Sequence, residues 1–283
     1  MTFLAPDGTL IDFSIDPYLG SGTTGLILQR GEHALKIPKI IDTSKFSDKN
    51  RASSEYVNQV NREILEREKS VYHRLGHSEG IIKVISISEE GILFDCHRNG
   101  DIATYMRDNV ELSIRDKTRW IVSIIKTVCH IHTSNVLIDD IALRNFLIAD
   151  DFSVKMIDFG QSTVFPLDID ITTADDNGLT VLVDLFHVGC IIYSIIVWKE
   201  FECNLFEHQL QRPSLKDLPD LDQLPYRQAI KKCWTAEYHS ADDLYAEVLE
   251  LWEEHPQMAE PIYREAENGV DVGSSLVSTH SIH

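Results

Sequence analysis

Asp140, Asn145 and Asp158 are the residues of this chain best suited to chemistry. They stand as Asp140-Ile-Ala-Leu-Arg144-Asn145 and, thirteen residues on, as Asp158-Phe159-Gly160. Phosphoryl transfer from a nucleotide asks little covalent help of a protein. It needs metal ions bridging the phosphates and one carboxylate to orient the nucleophile. Two carboxylates and a carboxamide supply those functions. The five-residue step lets one tight loop aim Asp140 and Asn145 into a cleft. The longer step leaves room for a short hairpin, 146–148 and 154–157, to return Asp158 there.

Phosphates also need a place to rest. Gly20-Ser-Gly22-Thr-Thr-Gly25 lies between strand-like runs, where backbone N–H groups can approach an anion with no Cβ in the way. A plain glycine-rich β-turn reads equally well from these residues alone. Dinucleotide binding is disfavoured, because Leu26-Ile-Leu28 continues as strand rather than opening a helix. Eleven residues past Gly25, Lys36 sits on the run His33–Ile37, a strand position from which one cation can face phosphates.

The elements that must hold these groups change character along the chain. The first hundred residues read mainly as strands: Ile11–Ile15 with period two, Gly25–Leu28, His33–Ile37, Ile81–Ile87 and Gly91–Cys96. One helix interrupts them from Tyr56 to Leu75, stopped by Gly76. The polar stretch 42–54 lacks any apolar period and is expected to be a mobile insert. Past Asn99-Gly100 the pattern is helical. Ser113–Asp116 reads as a capping box, 182–198 as a helix apolar nearly all round and therefore buried, and Ser240–Asp243 as the cap of a last helix to about Trp252.

Composition narrows the partners. A formal charge of −19 and a pI near 4.9 disfavour nucleic acid and anionic membrane, both polyanions. A basic peptide suits that field better. Five cysteines without a C-x-x-C pair read as reduced thiols. With no basic, apolar leader and no apolar run long enough to span a bilayer, a cytoplasmic location is expected, the nucleus also being open. His130 and His132, two apart on a helix, face different ways and read as ordinary helix residues rather than metal ligands.

Taken in order, glycine loop, strand lysine, helix glutamate, Asp…Asn, Asp-Phe-Gly and Asp184-Leu-Phe-His-Val-Gly189 resemble the protein kinase family over about residues 10–254. The resemblance implies an α+β, two-lobed fold. A small β-rich N-lobe would span 1–97, a larger mainly helical C-lobe 98–262 and a disordered tail 263–283. It implies ATP and Mg2+ as cofactors and a protein as substrate. Gly20, Gly22 and Gly25 would cover phosphates, Ile27 and Ala34 the adenine, and Asp95 to His97 would form the hinge behind the gatekeeper Phe94. Lys36 would be oriented by Glu68, for which a surface charge pair is the competing reading. Asp140 would be the catalytic base, with Asn145 and Asp158 as metal ligands. Arg144 resembles the arginine of tyrosine-kinase catalytic loops, and Ala142 stands where serine/threonine kinases place lysine, so the acceptor hydroxyl is left as Ser/Thr or Tyr. Lys232-Cys-Trp234 resembles a late C-lobe motif.

The chain also departs from the pattern. Ile138-Asp139 replaces the His-Arg that usually precedes the catalytic Asp, no Ala-Pro-Glu follows Asp158, and Ser240-Ala241 stands where Arg-Pro is expected. A buried ion pair lost at both ends leaves no unpaired charge, so the fold is expected to survive. Two other readings stay open at this point. One is a pseudokinase acting as an ATP-binding or scaffold module. The other is a small-molecule phosphotransferase, against which the full glycine loop, the Asp184–Gly189 motif and the Cys-Trp motif stand.

Overall fold

The computed structural model describes residues 2–203, 205 and 210–253. The stretch 263–283, expected as a tail, lies outside the described residues. Strands β1 (Phe3–Leu4), β2 (Tyr18–Ser21), β3 (Gly25–Arg30), β4 (His33–Pro38) and β5 (Ile40–Ile41) open the chain. Helix α1 (Asp48–Leu75) follows, then β6 (Val84–Ile87) and β7 (Ile92–Asp95). Five of these strands form one antiparallel sheet in the order β2-β3-β4-β7-β6, and β1 pairs with β5 beside it. The side-chain period of two divides this sheet by face. Leu26, Leu28, Leu35 and Ile37 pack together on one side, against Phe3, Ile11 and Leu93. Ile27, which pairs with Lys36, and Ala34, which pairs with Phe94, take the other side.

The second half is helical: α2 (Ile102–Asp108), α3 (Ile114–Thr133), α4 (Val181–Val197), α5 (Arg227–Trp234) and α6 (Ala241–Glu253). Short ladders interrupt it: β8 (Val136–Leu137), which pairs with β11 (Thr163–Val164), and the hairpin of β9 (Phe146–Ile148) with β10 (Val154–Met156). One apolar cluster runs from Leu65 and Tyr72 on α1 through α3 and α4 to Val248 on α6. The two-lobed α+β architecture is therefore as expected. Ser113 caps α3 and Ser240 caps α6 through their hydroxyls, at 3.2 and 3.1 Å.

Three expectations need correction. Ile11–Ile15 is no strand. The Asp12 carboxylate accepts from Ser14 N and Oγ, which bends the chain into a turn, and the strand begins at Tyr18. The stretch 42–54 is not an insert throughout, because α1 starts at Asp48. Its first turns pack on little and so carry no apolar stripe to read. Farther along, the buried face is Asn58, Asn61, Leu65, Glu68, Tyr72 and Leu75, a helical spacing half made of polar residues. Asn58 exchanges two hydrogen bonds with the Ile41 backbone and Asn61 donates to Lys39 O, which fixes the helix against the sheet margin. Finally, the strand expected over 81–87 is confined to β6, while Ile81 bridges Met156 and Ile82 N donates to Met156 O.

Helix α4 is buried along almost its whole length. It lies so near α5 that a Cβ on Gly189 would stand 2.6 Å from the Cβ of Cys233, which is why glycine occupies that turn. The missing Glu–Arg ion pair has a substitute that no motif announces. Arg212 donates to Leu182 O at 2.7 Å, to Cys233 O at 3.2 Å and to Trp234 O, and its guanidinium lies 5.5 Å from the Phe186 ring centre. Backbone carbonyls thus replace a carboxylate partner, tying α4 to α5. Removing one donor that satisfies several buried carbonyls costs about 2 kcal/mol. Arg212→Leu is therefore expected to lower the unfolding free energy measured by chemical denaturation by about that much, and an unchanged midpoint would show that the carbonyls find other partners.

Candidate active site

Lys36 stands at the junction of the two halves. Its Nζ lies 2.7 Å from Glu68 Oε2 and 2.8 Å from Asp158 Oδ1. Glu68 is 1% exposed, so it is no surface charge. Burial pushes its carboxyl above the usual range, with Lys36 opposing. Burial also works against the Lys36 charge, but Glu68 and Asp158 outweigh it and hold the ammonium form above its ordinary pKa. Asp158 shows the complementary result: Lys36 overcomes burial and holds its carboxyl below the ordinary range. Asp158 sits at φ +61°, a left-handed conformation that aspartate tolerates better than most residues.

Around this triad lies a cleft of about 810 Å³. Gly20, Gly22 and Gly25 roof it, Ile27 and Ala34 line the sheet side, and Phe94 to His97 its rear edge. A Cβ on Gly20 or Gly22 would meet nothing within 4 Å, whereas one on Gly25 would stand 3.1 Å from Lys36 Cε. Packing within the chain does not call for glycine at 20 and 22. Without a Cβ at either position the backbone N–H groups stay open to an anion. Every residue singled out in the sequence for this site borders the cleft, including Asp140, Arg144, Asn145 and Asp158.

The catalytic loop is held from below. The Asp184 carboxylate, fully buried at 0% exposure, accepts from Ile138 N (3.0 Å), Asp139 N (3.1 Å) and His132 Nε2 (2.9 Å). A carboxylate on so apolar a helix requires such donors. Above it, Asn145 Nδ2 donates to Asp140 O and Oδ2, and Arg144 Nη2 lies 2.6 Å from Asp140 Oδ1. Arg144 also holds Glu202 at 2.7 Å. Asn145 Oδ1 and the Asp158 carboxylate are hard oxygen donors of the kind Mg2+ takes, and the cleft beside Lys36 has the size of a nucleotide site. These residues fit ATP and Mg2+.

Some participants escaped the sequence reading. Tyr72 closes the rear of the cleft, its ring 5.2 Å from both Phe94 and Phe159. Its place four residues after Glu68, one helical turn on, is the signal that marks it. Leu147, the half-buried residue of β9, lines the floor. Its alternation with Phe146 and Ile148 was a usable signal. Glu202 carried none.

The family model "Protein kinase domain" matches residues 13–255. The chain belongs to the protein kinase family. Serine/threonine-protein kinase PLK4 of Xenopus laevis is 24% identical over 234 residues, 74% of this chain and 24% of that protein. PLK4 of Nematostella vectensis is 23% identical over 244 residues, 78% of this chain and 24% of that protein. The human phosphorylase b kinase gamma catalytic chain, liver/testis isoform, is 28% identical over 116 residues, 40% of this chain and 28% of that one. The chain thus spans about a quarter of the length of the relatives it matches.

This kinase domain keeps Ile138 in the core, where the aliphatic chain fills the space expected for a histidine ring, and Ser162 Oγ donates to its carbonyl. Asp139 is the costly replacement. It sits at φ +71°, and its carboxyl is pushed up to about 6 by burial and by Asp184, Asp140 and Asp176. The folded state therefore binds a proton that the unfolded chain releases between about pH 4 and 6. Stability from this group is present at low pH and lost as pH rises through 6. Asp139 is half-exposed, so screening reduces the cost to about 1 kcal/mol. Asp139→Asn is expected to melt higher than the parent at pH 7.5 and to converge with it at pH 4. A gain that does not change with pH would overturn this assignment.

Proposed function

We propose that this chain is an ATP-dependent protein kinase that transfers the γ-phosphate of Mg-ATP to a Ser/Thr or Tyr hydroxyl of a protein. The observation that carries the reading is Lys36 held between Glu68 and Asp158 at 2.7 and 2.8 Å, inside a cleft whose roof includes Gly20 and Gly22, which nothing in the described chain crowds. Mg-ATP, when bound, would supply the transferable phosphoryl group and metal charge to offset the phosphate oxygens. Lys36 would face the phosphates, with Glu68 keeping it in place. Asn145 and Asp158 would hold the metal. Asp140 orients the acceptor hydroxyl and receives its proton as the oxygen attacks phosphorus and ADP departs. The serine/threonine kinases among the relatives favour a Ser/Thr acceptor. The arginine at 144 favours Tyr, and both stay within the proposal.

A second reading rests on the loop itself. Both oxygens of Asp140 are already engaged, one by Arg144 and one by Asn145. A pseudokinase would bind nucleotide and leave them so. A kinase must let the acceptor hydroxyl share them. Three measurements decide. At a hundred times its dissociation constant, Mg-ATP is expected to stabilise the fold by about 2.7 kcal/mol, and Lys36→Met to abolish that shift. A melt unmoved by millimolar Mg-ATP sinks the nucleotide site. Asp140→Asn should spare ATP binding and remove turnover. If parent and variant both bind ATP and phosphorylate nothing on a protein array, the pseudokinase reading replaces this one.

Phosphorylation of the segment after Asp158 is not required in this proposal. Arg74 donates to Phe165 O, Asn135 Nδ2 to Pro166 O and Ile169 O, and Thr163 Oγ1 to Asp176, so hydrogen bonds that need no phosphate already fix that segment. Asp139 could only repel a phosphate there. Phosphatase treatment is expected to leave turnover unchanged, and a large loss would point to a phosphate receiver elsewhere.

A further inference from the structure

A second cavity, of about 290 Å³, opens behind the catalytic loop, between residues 139–144 and helix α4. It is distinct from the glycine-roofed cleft, with which it shares only Asp140 and Arg144. Asp140 borders both cavities, so whatever fills the second lies next to the reacting hydroxyl.

Its walls are short of positive charge. Asp139, Asp140 and Glu202 line it, with Arg144 as the one cation among the described lining residues, a formal balance of −3 + 1 = −2. Arg144 spends its guanidinium on Asp140 Oδ1 and Glu202 Oε1. Among the described residues no hydrogen bond reaches the Asp139 carboxylate. The other oxygen of Glu202 is likewise without one. His187 forms part of the same wall, is only 8% exposed, and its Nδ1 has no hydrogen-bond partner. The nearby cation Arg212 is already engaged by the carbonyls of Leu182, Cys233 and Trp234. From Met156 to Trp198 the chain carries six aspartates and no lysine or arginine.

The chemistry of the occupant follows. No group of three or more His, Cys, Asp or Glu among the described residues is placed to hold a metal ion. Acceptors scattered round a partly apolar wall that includes Ile191 and Phe201 ask for a flat cation with several donors and a greasy stem. A guanidinium meets that description; a compact ammonium reaches fewer of them. Arg144 already shows one guanidinium bridging two of these carboxylates.

We propose that this cavity is a substrate subsite for an arginine flanking the phospho-acceptor, its guanidinium held by Glu202 and Asp139 and its stem by Ile191 and Phe201. The subsite deepens the kinase reading and rests on it for the word substrate. The chain would then select substrates with an arginine beside the acceptor residue.

The test uses the full chain and synthetic peptides in which arginine, or its neutral isostere citrulline, is scanned through the positions flanking a Ser, Thr or Tyr. Binding is read by fluorescence anisotropy with alanine at the acceptor, and transfer by phosphate incorporation with Mg-ATP. At one position, citrulline is expected to weaken both binding and kcat/KM by about fivefold, the upper range for a partly exposed charge pair. Glu202→Gln should erase that difference, Glu202→Asp should keep it, and Glu202→Lys should turn the preference toward glutamate. The Glu202 side chain is 54% exposed, so these changes open no cavity in the core, and melting curves check the fold. Indifference to citrulline at every position, a preference undiminished in Glu202→Gln, or no binding of any arginine peptide overturns the subsite. Phosphate transfer indifferent to arginine sinks the subsite and leaves the kinase reading standing. Glu202-dependent arginine binding without transfer does the reverse.

Discussion

A single buried carboxylate sets the geometry on which the rest depends. Asp184 lies at the first turn of the most apolar of the described helices, and a carboxylate buried there needs hydrogen-bond donors around it. Two of its donors are consecutive backbone amides, Ile138 and Asp139, and the third is His132 on α3. That arrangement joins two helices and the catalytic loop through one side chain. It also compels Asp139 into its left-handed turn, which sends the next residue, Asp140, toward the cleft. The loop's shape is therefore a debt of the core rather than a choice of the surface.

Above that anchor the site is built by alternation. One strand carries Leu35 and Ile37 to the apolar layer and Ala34 and Lys36 to the cleft, and its neighbours β3 and β7 do likewise. Lys36 then answers to two elements far apart in sequence, Glu68 on α1 and Asp158 after β10. Because both carboxylates close on the one ammonium, the pairing couples the position of α1 to the conformation of the Asp-Phe-Gly turn.

What the sequence disclosed follows from how each feature is encoded. Lys36, Asp140, Asn145 and Asp158 were legible because their spacing is set by chain geometry, strand to strand and loop to hairpin. The buried helix was legible because apolarity on all sides has one meaning. Helix α1 was read only in its apolar half. Asn58 and Asn61 pack by hydrogen bonding to Ile41 and Lys39, and hydrophobic periodicity cannot see that. Arg212 and Glu202 were invisible for another reason. Their roles depend on carbonyls and side chains brought close only by the folded C-lobe, with no local pattern to mark them. The turn at Asp12 was a local signal outweighed by an alternating pattern.

The length of α1 has a mechanical side. The helix is tied down at its C-terminal end, where Arg74 grips Ser134 O and Phe165 O and Gly76 turns the chain away. Its first turns project past the sheet with exposed flanks. From Asp48 to Asn58 the rise is about 15 Å, so the overhang ends where Asn58 and Asn61 pin the helix to the sheet margin. Whatever takes hold of that overhang is separated from Glu68 by the pinned turns, so the carboxylate that positions Lys36 is insulated from it.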